Sequence, residues 1–110
     1  MLVLLDQNVP IGVRRVLASH DVRTAYRTGW ADLSNGELMD AAEAAGVAVL
    51  VTCDQNIVFQ QSLARRQIAV VVLTTNRWAV IRTDPNRIEN AVTAATAGSF
   101  TVIRYSDARI

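Results

Sequence analysis

The sequence has no lysine. All eleven basic side chains are arginine, and ten acidic ones leave a formal net charge of +1. So even a balance supplies no long-range field that would mark a nucleic-acid binder, although Arg is the side chain best suited to gripping phosphate bidentately and stacking on bases. The single cysteine, Cys53, excludes a disulfide framework and a thiolate zinc cluster, and it suits a reducing cytoplasm. The single histidine, His20, has no second imidazole to work with and reads as a loop or edge residue. With only two prolines and five glycines among 110 residues, 51% of them hydrophobic, the chain argues against disorder and for one domain around one core. No apolar run approaches the roughly eighteen residues of a membrane span, and the apolar run at 2–5 follows no basic segment. The expectation is a cytoplasmic protein that folds alone or as a small oligomer such as a homodimer.

What is present is a repeated ending. LVLLDQNVP at 2–10 carries Asp6-Gln7-Asn8 after an apolar run, and VLVTCDQNIV at 49–58 carries Asp54-Gln55-Asn56 after another. Around them, apolar runs at 2–5, 47–52 and 68–73 read as strands buried on both faces. The alternating stretch 20–25 and the run 100–105 read as two more. Helices are predicted over 10–18 behind Pro10, over 57–66 with Phe59 and Leu63 inward, and from Asp84-Pro85 to residue 97, ended by Gly98. Ser34-Asn35-Gly36-Glu37 has capping-box spacing, opening a helix that Gly46 closes. A loop through Gly29, Trp30 and Asp32 leads into it.

Strands alternating with helices predict an α/β fold: an α/β/α sandwich whose mostly parallel sheet has about five strands, filling 1–110 as one domain. Open sheets of this kind bind ligands outside the carboxyl ends of the strands, where the strand order reverses. With order 2-1-3-4-5 that place lies between the first and third strands, and the repeated tripeptide sets Asp6 and Asp54 side by side there. Two readings stand together. Asp and Asn are favoured where strands turn into helices because they accept hydrogen bonds from free backbone N–H groups. Two neighbouring carboxylates at the end of buried runs are also costly without a counter-ion, and a hard divalent cation with oxygen ligands compensates them. Gln7, Asn8 and Asn56 could then orient its waters or supply neutral oxygens.

LLDQNVP, HDVRTA, GWADLSNGELMDAAEAAG and VLVTCDQN, in this order and spacing over residues 2–75, resemble the small prokaryotic PIN-like domain proteins, relatives of the ribonucleases of toxin–antitoxin pairs. The resemblance implies a PIN-like endoribonuclease fold in which acidic residues hold Mg²⁺ or Mn²⁺. By position it puts the acids on Asp6, Glu37 and Asp54, with Asn8 where relatives often carry Asn. It also implies an antitoxin-like protein as partner, while the net charge of +1, with Arg77 and Trp78 to pair a phosphate and stack on a base, favours single-stranded RNA over duplex as substrate. The chain departs from the pattern at Asn35 and Asn56, where acids are common, and has Thr74, Thr75 and Asn76 after Leu73 in place of a carboxylate.

Glu37 also completes the capping box, which by itself explains a Glu at that position. Cys53 reads as a small buried hydrophobe rather than a nucleophile. Trp30 and Trp78 lie in predicted loops and can either seal the core or stack on a base. Arg65 and Arg66 end a predicted helix and complement its dipole. Arg77, Trp78 and Arg82, just beyond a strand's carboxyl end, form the candidate nucleic-acid contact. Three functions follow: a metal-dependent endoribonuclease with metal on Asp6 and Asp54; a non-catalytic PIN-like module that binds RNA or protein; and a receiver-like phosphoacceptor at Asp54 with Thr74 or Thr75 on the phosphate. The third needs a lysine that the chain lacks.

Overall fold

Side chains alternate across a strand, so a short run of Val, Leu and Ile can feed two cores at once if helices cover both faces. The computed structural model, which describes residues 1–57 and 63–106, is built this way. Its strands are β1 (Leu2–Leu5), β2 (Asp21–Thr24), β3 (Val49–Thr52), β4 (Ala69–Leu73) and β5 (Phe100–Ile103). They form one all-parallel sheet of five strands in the order β2-β1-β3-β4-β5. The described helices are α1 (Val13–Val16), α2 (Ala25–Thr28), α3 (Asn35–Ala44), α4 (Trp78–Ile81) and α5 (Asn86–Ala94), with a 3-10 turn at Leu63–Arg65.

Val3, Leu5, Val49, Val51, Ala69, Val71 and Leu73 point to one face, where Val13 of α1, Leu17 just after it, Ile81 of α4, and Ile88 and Val92 of α5 meet them. Leu4, Leu50, Val70 and Val72 point to the other, against Ala25 of α2 and Leu38, Met39 and Ala42 of α3. The result is a three-layer α/β/α sandwich, as the alternation of elements predicts. Among the described residues no helix is long and apolar enough to cross a membrane.

Local chemistry sets the helix ends. The Ser34 hydroxyl accepts from Glu37 N at 3.3 Å while Glu37 Oε1 accepts from Ser34 N at 3.0 Å, the reciprocal bonds of a capping box. At the far end Gly46 adopts φ +84°. There Gly46 N donates to Glu43 O and Val47 N to Ala42 O, the paired bonds of a Schellman motif. Using Val47 in this way shortens the strand predicted from residue 47, which begins at Val49.

The predicted helix 10–18 is regular only over α1. Around it Val13 N→Pro10 O, Arg14 N→Ile11 O and Arg15 N→Gly12 O are i→i+3 bonds, so this segment is mostly tight turns. Near Thr96, α5 stops early because Ala95 is extended and Gly98 N donates to Ile68 O at the start of β4. The last strand ends at Ile103, since Tyr105 N leaves the ladder for the Thr74 hydroxyl. Residues 58–62 of the helix predicted over 57–66, Phe59 among them, lie outside the described residues. Leu63 is buried as expected, but its backbone is 3-10.

Candidate functional site

The strand order reverses between β1 and β3, and the two Asp-Gln-Asn tripeptides meet there. Asp6 extends the ladder by one residue, its N–H donating to Val51 O at 2.9 Å. Thr52, the last residue of β3, is wholly buried. Its hydroxyl donates to Asp6 Oδ2 at 2.8 Å and accepts from Asp54 N at 3.1 Å. One buried hydroxyl therefore fixes the Asp6 carboxylate and the Asp54 backbone together. Because a buried polar group must be paired, this link is also required by the core.

The two tripeptides do different work. Asp6 Oδ1 accepts from Gln7 N at 2.8 Å. Asp54 Oδ1 accepts from Asn56 N at 2.9 Å, an Asx turn, and Asp54 Oδ2 accepts from the Asn35 side-chain amide at 2.8 Å. Asn8 reaches across the junction, where its Oδ1 accepts from Cys53 N at 3.0 Å. The capping expected of Asn8 is thus directed at the loop after β3 rather than at its own helix. Asn56 contributes its backbone N–H.

Glu37 is engaged elsewhere. Hydrogen bonds from the backbone N–H and then the side chain of Ser34 hold its carboxyl below its ordinary value. Among the described residues no three His, Cys, Asp or Glu side chains gather closely enough to form a ready metal cluster. The Cys53 thiol donates to Thr75 O at 3.4 Å. Burial, with the nearby Asp6 charge, pushes its pKa up to about 11, which keeps it a neutral thiol. Thr74 and Thr75 use their hydroxyls as acceptors for Tyr105 N and Arg77 N. His20 pairs with Glu89 at 2.9 Å, tying the approach to β2 onto α5.

Of the three residues expected to contact nucleic acid, Trp78 and Arg82 fall together and Arg77 falls apart. Trp78 opens α4 rather than lying in a loop, and Arg82 follows one turn later. Both line a cleft of about 490 Å³ with Gly12 and Arg15. Arg77 lines a separate polar cleft of about 370 Å³ with Asn8, Cys53, Thr74 and Asn76. Arg66 pairs with Asp40 and Glu43 of α3. Trp30 packs on the α2–α3 core as a sealing residue.

The residues that sequence reasoning missed ride on α2. Tyr26 is 80% exposed, and with Arg27, Arg14, Ile11 and Asp6 it lines a cleft of about 520 Å³ beside the junction. A signal for this helix exists in TAYRTGW. Thr24 caps it by accepting from Arg27 N at 3.2 Å, and Gly29 closes it at φ +84° with Trp30 N→Ala25 O. Thr52 was equally hidden, because a Thr at the end of an apolar run reads as strand propensity. No family model, no curated protein and no solved structure matches this chain.

Proposed function

We propose that this protein is a metal-dependent endoribonuclease of PIN-like type, acting on single-stranded RNA in the cytoplasm. The observation that carries the proposal is the Thr52 hydroxyl that binds Asp6 and holds the Asp54 backbone at the reversal point of the sheet. The donor set suits one hard divalent cation. Among the described residues each oxygen of the two carboxylates accepts a single bond, which leaves a lone pair on each for an ion. Mg²⁺ is commonly held by one or two carboxylates and keeps several waters. Asp6 and Asp54 would hold it, with Mn²⁺ as an alternative. When bound, such an ion supplies an acidified water as nucleophile and a counter-charge for the phosphodiester. The chain's own part is positional: Thr52 fixes Asp6, and Asn35 and the Asn56 N–H fix both oxygens of Asp54. The resemblance to toxin–antitoxin ribonucleases extends the proposal to an antitoxin-like protein as partner.

A second reading, a non-catalytic module that binds RNA or protein, is favoured by one observation. The Asn35 amide satisfies Asp54 where an acid would demand a cation. Cleavage of a labelled single-stranded RNA pool by wild type, Asp6→Ala and Asp54→Ala separates the two. The nuclease reading expects cleavage with Mg²⁺ or Mn²⁺, none with EDTA, and none by either variant. Identical behaviour of all three proteins removes the enzyme and leaves the binding module.

A further inference from the structure

Three clefts run side by side from the Asp6 junction to α5. The first holds Asp6, Ile11, Arg14, Tyr26 and Arg27. The second, of about 510 Å³, shares Ile11 and Arg14 with it and ends at Trp78 and Arg15. The third continues from Trp78 and Arg15 to Arg82. Aromatic rings mark two points of this path: Tyr26 is 80% exposed, and Trp78 is 36% exposed with its indole lying on Gly12. A Cβ on Gly12 would sit 2.6 Å from that ring, so the glycine is what lets the indole lie flat there. Arg14, Arg15, Arg27 and Arg82 line the path, are exposed, and form no ion pair with any described residue.

We infer that these clefts form one track for a single polynucleotide strand, with a base against Tyr26, a base against Trp78, and the phosphates between them on Arg14 and Arg27. Stacking platforms interleaved with unpaired guanidiniums suit a single strand, whose bases have free faces and whose backbone can follow a bent path. An acidic peptide would use the arginines and leave both rings uncovered. A rigid duplex offers no base faces to them. The track rests on the nuclease reading only for its direction, since it delivers the strand to Asp6; binding along it needs no metal.

The test is fluorescence anisotropy of a labelled oligouridylate, with the matching oligodeoxythymidylate in parallel, on Asp54→Asn protein in EDTA. Tyr26→Ala should weaken binding by about five- to 150-fold, and Tyr26→Phe should restore it. Arg14→Ala with Arg27→Ala should lower the slope of log affinity against log salt by about 1.4, for two lost phosphate contacts at about 0.7 each on a single strand. These side chains are exposed, so unchanged thermal midpoints verify that the variants fold. Equal binding of both oligonucleotides shows a track that reads phosphates and bases; tighter RNA binding adds contact with the 2′-hydroxyl. Variants that bind as tightly as the parent overturn the track, as does competition by polyglutamate or duplex RNA equal to that of the single strand. Tyr26-dependent binding without wild-type cleavage removes the nuclease and keeps the track. Metal-dependent cleavage with Tyr26-independent binding does the reverse.

Discussion

The side-chain amide of Asn35 donates to Oδ2 of Asp54 at 2.8 Å, so the first turn of α3 meets the carboxyl end of β3 through a neutral donor. An acid at the same position would place two carboxylates in contact, which a bound cation can relieve and water relieves poorly. Asn35→Asp should therefore lower stability without metal by about 1–3 kcal/mol, as expected when a paired group loses its donor. The same variant should regain that loss, or exceed it, in millimolar Mn²⁺. Thermal melts of both proteins with and without Mn²⁺ check this, and parallel shifts in the two would count against a site shared between α3 and β3.

Thr52 is the buried link of the site. Thr52→Val keeps the shape and removes the hydroxyl, stranding Asp6 Oδ2 and Asp54 N together. The expected loss is about 1–3 kcal/mol, whereas Thr52→Ser should lose less because it keeps both bonds. Urea denaturation at constant m-value measures the difference.

The Cys53 thiol titrates near 11 in the folded chain, against an ordinary value of 9.0. Because the folded state favours the protonated form, the thiol's contribution to stability is fully present below pH 9.0 and fades as pH rises toward about 11. Alkylation by iodoacetamide at neutral pH should accordingly be slow in the native protein and fast after unfolding. Cys53→Ala should flatten the alkaline loss of stability between those two values. Rapid native alkylation at neutral pH would contradict the burial that raises the thiol.

Gly12 lies beneath the indole of Trp78, and the atoms a new methyl would meet are at the far end of that side chain. Gly12→Ala should swing the ring outward at a cost of about 0.5–1.5 kcal/mol, the scale of a displaced rotamer. In a Trp30→Phe background the emission of Trp78 should shift to the red. An unchanged spectrum would place the indole elsewhere.

The sheet was legible from the apolar runs because strands buried on both faces need no polar alternation. The order 2-1-3-4-5 is supposed rather than read from the residues; once it holds, the rule that sites form where the order reverses puts Asp6 and Asp54 at the ends of neighbouring strands, as the pairing of β1 with β3 does. Helix lengths were less legible. The run behind Pro10 carries helical periodicity, yet the turn bonds around Gly12 bring it under Trp78, a contact 66 residues away in the chain. The α2 turn hid in what read as a strand followed by a loop, since its only marks are Thr24 and Gly29. Glu37 carried two readings in the sequence, and the structure shows its carboxylate engaged in the capping box. Arg77 stood next to Trp78 in sequence, but the start of α4 sends the two side chains to different clefts.

The central claim is that Asp6 and Asp54 hold one ion between them, and a metal-dependent melting cycle tests it most directly. A ligand that binds only the folded state, at about a hundred times its Kd, adds roughly 2.7 kcal/mol of stability. With Mg²⁺ or Mn²⁺ at that level, wild type should gain this amount. Asp6→Asn, Asp54→Asn and the double variant should each gain nothing, since removing either ligand empties a shared site. A wild type whose melting midpoint ignores both metals, or single variants that each keep part of the gain, would contradict the account.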